Sequence, residues 1–338
     1  MKNSVFLGTL AVAGLAAGVA SAQTLAEVEE RGALNCGVTT GLTGFAAPDA
    51  NGEWQGFDVA VCRAVAAAVL GDPMAVEFVP TTGQTRFTAL ASGEVDMLAR
   101  NTTWTLTRDV DLAFEFTGIN YYDGQGFMVP RELGVSSALD LAGATVCIQT
   151  GTTTELNLAD FFASNNMDYE PVPIETNAEA QQQYLAGACD VYTTDSSGLA
   201  ATRATFEDPS AHTILPEIVS KEPLGPLVRH GDNEWGDVVR WVLNLLIAAE
   251  EYGITSANVM ELAEGTNNPE VNRMLGTEGN LGEQLGLDAD WGVRVLSSVG
   301  NYGEIFEGNI GESTPIGLAR GLNAQWTEGG LMYSPPFR

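Results

Sequence analysis

The sequence has little positive charge. Lys and Arg number 15 against 44 Asp and Glu in 338 residues, for a formal net charge of −29 and a pI near 4.1. A surface this acidic repels phosphate backbones and anionic lipid headgroups, so nucleic acid is excluded as a partner. Histidine is nearly absent, with His212 and His230 the only two, and no CxxC or HExxH occurs. A zinc site has almost nothing to build on, and no metal is expected. There is no GxSxG and no Walker A loop, and Gly124-Gln125-Gly126 lacks the third glycine of a dinucleotide fingerprint. These absences weigh against hydrolase, kinase and dehydrogenase chemistry, and no cofactor is expected. Long hydrophobic runs are also missing. Past the N-terminus the longest mostly apolar stretch, Trp241 to Ala249, is too short to span a bilayer and is flanked by Arg240 and Glu250.

What is present is a globular composition, 45% hydrophobic and 17% charged, at a length that fits about two domains. Residues 1–22 read as an export leader: Lys2, an apolar small-residue run from Val5 to Val19, then Ala20-Ser21-Ala22 at the cleavage positions. Cleavage after Ala22 is expected, which exports the mature chain. Cys36, Cys62, Cys147 and Cys189 form an even set, which in an exported chain reads as two disulfides. Four cysteines allow three pairings. Pairing within each half, Cys36 with Cys62 and Cys147 with Cys189, is the simplest.

Strand and helix patterns alternate in two halves. The first runs strand Leu34–Thr39, helix Asp58–Leu70 with Asp58 as N-cap and Gly71 as C-cap, strand Ala75–Val79, short helix Phe87–Ala91 and strand Val95–Ala99. The second runs strand Ala144–Gln149, helix Thr154–Ser164, strand Tyr169–Val172, helix Ala178–Ala186 and strand Val191–Thr193. This rhythm predicts two α/β lobes built on parallel sheets. Extended segments at 119–130 and 214–229 predict two crossings between lobes. A long amphipathic helix over Trp235–Glu251 and a Gly-rich tail of short helices and loops follow.

In α/β folds, ligands bind at the carboxyl ends of parallel strands. The strand ending at Ala99 runs into Arg100-Asn101-Thr102-Thr103, with Arg108 close behind. The strand ending at Gln149 runs through Thr150-Gly151-Thr152-Thr153 into a helix, whose N-terminal N–H groups suit an anion. The strand ending at Thr193 reaches Asp195. A guanidinium with N–H donors fits a carboxylate, and an Asp fits an ammonium. Together they describe the zwitterion of a free α-amino acid.

At these residues the chain resembles the periplasmic amino-acid-binding proteins of ABC transporters. DMLARNTTWTLTRD (96–109), QTGTTTE (149–155) and CDVYTTD (189–195) resemble three motifs of that family. GFDVAVCRAVAAAVLGD, NYYDGQGFMVP, NYGEIFEGNIG and GLNAQWTEGGLMYSPP are similar to its general L-amino-acid-binding subgroup, so the likeness covers nearly the whole mature chain.

The resemblance implies a type II periplasmic-binding-protein fold: two lobes, each a mostly parallel sheet flanked by helices, with ligand in the cleft. Lobe one would hold residues 23–120 and 222–338, lobe two 121–221, with hinge crossings near 119–123 and 218–225. Arg108 takes the place of the Arg that holds the ligand carboxylate, assisted by the Thr103 hydroxyl and N–H and the Thr153 N–H. Asp195 matches the carboxylate that takes the ammonium, and Asn101 offers its backbone carbonyl. Arg86 sits where similar acidic-amino-acid binders place a side-chain Arg, with Arg100 beside it. Thr39 replaces an Asp and Leu42 a stacking aromatic, so a cationic or aromatic specificity pocket is disfavoured. The implied function is a monomeric receptor that binds free L-amino acids broadly and delivers them to membrane permease subunits. An enzyme on the same scaffold, such as a carboxylate dehydratase or lyase, would need a poised acid or base in the cleft, and neither His falls in a cleft motif. A sensor domain would need a further membrane segment.

Overall fold

The computed structural model describes residues 24–338; the leader expected over 1–22 lies outside the described residues. The chain opens with helix α1 (Thr24–Arg31) and strand β1 (Leu34–Thr39), then a small hairpin of β2 (Ala47–Pro48) and β3 (Trp54–Gln55). Helix α2 (Phe57–Leu70), strand β4 (Val76–Thr81), helix α3 (Arg86–Ser92), strand β5 (Met97–Leu98) and strand β6 (Phe114–Phe116) follow. The chain then crosses through β7 (Tyr121–Asp123). The second lobe holds β8 (Gln125–Pro130), β9 (Thr145–Gln149), α4 (Thr153–Ser164), β10 (Glu170–Ile174), α5 (Asn177–Leu185), β11 (Val191–Asp195), α6 (Ser196–Arg203) and β12 (His212–Ile214). It returns through β13 (Glu222–Leu224) to β14 (Leu227–Arg229) and α7 (Asn233–Glu251). Short helices α8 (Val259–Leu262), α9 (Pro269–Met274), α10 (Leu281–Gln284), α11 (Trp291–Val299) and α12 (Tyr302–Asn309) close the fold.

The two lobes carry matching five-stranded sheets, ordered β4-β1-β5-β14-β6 and β10-β9-β11-β8-β12. In each sheet four strands run in one direction, as the alternating pattern predicts for the first three, and one strand, β14 or β8, runs against them and pairs antiparallel with both neighbours. The sheets are therefore mixed but mostly parallel, as expected, with a single reversed strand in each. β8 and β14 each follow a crossing strand directly, with no helix to reverse the chain, so they enter their sheets antiparallel. The crossing strands β7 and β13 pair with each other, antiparallel, outside both sheets.

Helix α2 begins at Phe57 with Gly56, not Asp58, at its N-cap. A Cβ on Gly56 would lie 2.3 Å from the Phe45 carbonyl oxygen, so only glycine fits that approach. Gly71 caps the other end in the left-handed conformation, as expected. The main core packs α2 and α7 around Trp235, Trp291, Phe57 and Phe306, all nearly fully buried. The tail from α8 onward completes that core and reaches the hinge: Asn323 exchanges two hydrogen bonds with the Tyr122 backbone at 2.7 and 3.1 Å. Disulfides join Cys36 to Cys62 and Cys147 to Cys189, the within-half pairing.

Candidate functional site

The two sheets point the carboxyl ends of their parallel strands at each other. β5 delivers Arg100, Asn101 and Thr103, and α3 adds Arg86. From the facing lobe come Gln149 at the end of β9, Thr152 to Thr154 at the start of α4, and Thr194-Asp195 at the end of β11. These residues line one small polar cavity of about 20 Å³. The lobes also touch at its rim. Asn177 donates to the Thr39 hydroxyl (3.1 Å) and the Gly41 carbonyl (3.2 Å), and Gln84 donates to the Thr150 hydroxyl (3.1 Å). Gly83 meets Thr150 so closely that a Cβ there would lie 2.6 Å from its carbonyl oxygen. The structure is the closed form of a two-lobed cleft.

Three guanidiniums are buried here: Arg86, Arg100 and Arg108 are 2%, 3% and 7% exposed. Arg86 donates to the Thr102 hydroxyl (3.2 Å) and, across the cleft, to the Gly151 carbonyl (3.4 Å), while its Nε has no partner among the described residues. Arg100 Nε donates to the Thr81 carbonyl at 3.2 Å, and Arg108 Nη1 to the Thr103 carbonyl at 2.8 Å. Arg86 and Arg108 also lie against the Phe87 ring, 4.8 and 5.2 Å from its centroid. Among the described residues no carboxylate oxygen comes within 4.0 Å of any of the three. Burial, then repulsion from Arg100 and Arg108, holds Arg86 well below the usual arginine range. Burial and Arg108 bring Arg100 down to about 10. Burial lowers Arg108 as well.

Free donors surround Arg108. Thr103 bridges to Leu224 of β13 as a non-hydrogen-bonded antiparallel pair, the flanking bonds being Trp104 N–H to Pro223 and Gly225 N–H to Thr102. That register turns the Thr103 N–H and carbonyl away from β13. Its carbonyl takes Arg108, and its N–H has no partner among the described residues. Thr152 caps α4 by accepting from the Glu155 N–H, which leaves the Thr153 N–H at the helix start.

Opposite stands the acid. Asp195 is 6% exposed, and burial, then the charges of Asp123 and Glu222, push its carboxyl well above the usual range, with Arg86 and Arg108 pulling back. Asn101 is held in the left-handed region at φ +35°, where asparagine is tolerated better than most residues. Its N–H donates to Asp58 (3.2 Å), whose other oxygen takes the Asn120 amide at 3.4 Å. Asp58 is thus the prop behind Asn101 and not a helix cap. Burial raises its carboxyl to about 7.

Of the residues read from sequence, Arg86, Arg100, Asn101, Thr103, Thr153 and Asp195 line one cavity. Arg108 stands just behind Thr103. Leu42 does not line the cavity; it is buried in the lobe-one core and faces α6 at Gly198. His212 bonds Tyr184 and His230 lies near Asp109, both outside the cavity. From sequence, the runs that hold Gln149, Thr152, Thr154 and Thr194 are marked but none of these four is assigned to the site, and no site role is given to three acids: the buried Asp58 and Glu222 and the half-buried Asp123. The signal for two of them was positional. Asp123 and Glu222 are register partners in the crossing ribbon, within segments already recognised as links.

Two lobes joined by a two-stranded hinge and closed over a polar cleft define a type II periplasmic binding protein. The chain belongs to the bacterial extracellular solute-binding proteins, family 3, whose model matches residues 34–258. It is 67% identical over 338 residues to the glutamate/glutamine/aspartate/asparagine-binding protein BztA of Rhodobacter capsulatus, covering all of both chains. It is 56% identical over 342 aligned positions to the general L-amino acid-binding periplasmic protein AapJ of Rhizobium johnstonii, again over the full length of each. Among solved structures, a periplasmic binding protein from Brucella ovis with glutathione bound superposes with a TM-score of 0.91 at 56% identity, covering 94% of this chain and 100% of that one.

Proposed function

We infer that the protein is a periplasmic receptor that binds free L-amino acids of several classes by lobe closure and delivers them to an ABC transporter. In this reading it is exported with cleavage after Ala22, acts as a monomer and docks on membrane permease subunits. It is a binder and not an enzyme. Lobe one is residues 23–120 with 222–338 and lobe two is 121–221. Arg108 and the N–H groups of Thr103 and Thr153 hold the α-carboxylate; Asp195 and the Asn101 carbonyl hold the α-ammonium. Because those partners come from both lobes, ligand favours the closed state by the contacts that only closure completes.

The observation that carries the reading is the cleft's uncompensated charge: three buried guanidiniums without a carboxylate within 4.0 Å, facing a buried aspartate. A zwitterion answers both, and a side-chain carboxylate or amide answers Arg86 and Arg100 as well. Acidic and amide side chains should therefore bind well, and Lys or Arg ligands worst. BztA and AapJ, by their names, bind ligands of this kind. Glutathione, found in the Brucella ovis relative, carries a free α-ammonium and α-carboxylate on its γ-glutamyl residue, so the same clamp fits it.

Asp195→Asn tests the ammonium half by calorimetry. Its affinity for L-amino acids should fall far more than its affinity for their α-hydroxy analogues. Equal losses for both would make Asp195 structural and leave the cleft without its amino-acid filter.

A further inference from the structure

Glu222 sits on the hinge strand β13 and is 1% exposed. Its carboxylate is fully used. Oε2 accepts from the hydroxyls of Thr103 and Thr153, the latter at 2.9 Å; Oε1 accepts from the Asn157 amide (2.6 Å) and the Ser220 hydroxyl (2.8 Å). Thr103 belongs to the loop after β5, in lobe one, and Thr153 and Asn157 belong to α4, in lobe two. One buried carboxylate thus gathers a cavity-lining hydroxyl from each side of the cleft, and those two hydroxyl oxygens lie 3.3 Å apart.

A hydroxyl has one proton and two lone pairs, and a carboxylate only accepts. With both protons committed to Oε2, the two hydroxyls have only lone pairs left for the cavity. They repel a ligand carboxylate that moves toward them and accept from a ligand N–H. The negative charge behind them acts in the same direction. Charge-assisted bonds in a dry site are strong, which makes the orientation hard to reverse.

We propose that Glu222 is a positioning residue for specificity: by holding the Thr103 and Thr153 hydroxyl protons, it fixes this end of the cleft as an acceptor surface that selects amino acids over the corresponding hydroxy and oxo acids. The proposal rests on the amino-acid-receptor reading and assigns the hinge a chemical task within it. It shifts the Thr103 hydroxyl from the carboxylate side of the ligand to the ammonium side, leaving the Thr103 N–H with the carboxylate.

The test compares L-glutamate with 2-hydroxyglutarate by calorimetry in the wild-type chain, E222Q and E222D. Wild-type binding of L-glutamate is read first; its absence would refute the receptor reading and, with it, this one. Given binding, E222Q removes the charge and offers the hydroxyls a donor. The glutamate-to-hydroxyglutarate affinity ratio should then fall by about tenfold or more, as expected for a lost charge-assisted bond, and E222D should restore part of it. A ratio unchanged in E222Q, with both ligands weakened alike, would make Glu222 a hinge brace only and overturn the proposal. Should E222Q fail to fold, Thr153→Val removes one of the two oriented hydroxyls. A lowered ratio there supports the proposal, and an unaltered one overturns it.

Discussion

A guanidinium taken out of water costs several kcal/mol unless charge and hydrogen bonds replace its hydration. Arg86, Arg100 and Arg108 are held mainly by carbonyls and a hydroxyl, and that incomplete compensation is what makes the cleft receptive to an anion. Arg108→Ala should therefore weaken every amino-acid ligand, by roughly 2–5 kcal/mol, because the ligand carboxylate is left unpaired in a closed site. Calorimetry showing undiminished affinity would place the carboxylate elsewhere. Asp58 makes a separate prediction. Its folded-state pKa of about 7 lies above the ordinary 3.8, so the native state holds its proton more tightly than the unfolded chain does. The stability this provides is complete below 3.8 and is lost as pH rises to about 7. Relative to wild type, the melting temperature of Asp58→Asn should rise across that window; a constant offset would contradict it. At this scale the sequence was legible where chemistry met position. Asp195 ends strand β11 and Arg108 lies in the helical turn 107–111 that follows β5, whereas Glu222 is one of 44 acids with no pattern to mark it. Its role comes from the hinge register, which pairs residues 99 positions apart in sequence.

Elements were more legible than their directions. The alternating strand and helix patterns matched β1, β9, α2, α4 and α7 to within a few residues, because each buries a defined apolar face. Strand polarity was not legible for β8 and β14: a short extended stretch reads the same whichever way it enters a sheet, and here the crossing ribbon decides. The loop before α3 shows what closure demands of an element. Gly83 lies in an ordinary backbone region, so alanine fits the open lobe without strain. Across the closed cleft its Cβ would sit 2.6 Å from the Thr150 carbonyl. Gly83→Ala should weaken ligand binding by about 1–3 kcal/mol, the usual range for overpacking. The melting temperature without ligand should stay close to wild type. A variant that bound as tightly as wild type would show that the two rims do not meet in the liganded protein.

The molecule as a whole is two sheets hinged by β7 and β13, with the C-terminal segment bracing the hinge through Asn323. That brace and the tail helices lie beyond the stretch matched by the family model, which stops at residue 258. They pack mainly on lobe one, with Pro315 and Ile316 beside Ala200 and Ala204 of α6 in lobe two, and the ligand's own charges decide how far the closed state is favoured. Selectivity at this scale is a difference between ligands, and the feature that most clearly penalises a wrong one is the buried cationic cluster. A thermal-shift panel of the twenty L-amino acids on the mature chain tests this most directly. The account predicts stabilisation by many of them, greatest for glutamate, aspartate and their amides, and least for lysine and arginine. Strongest stabilisation by lysine or arginine, or none by any amino acid, would contradict it.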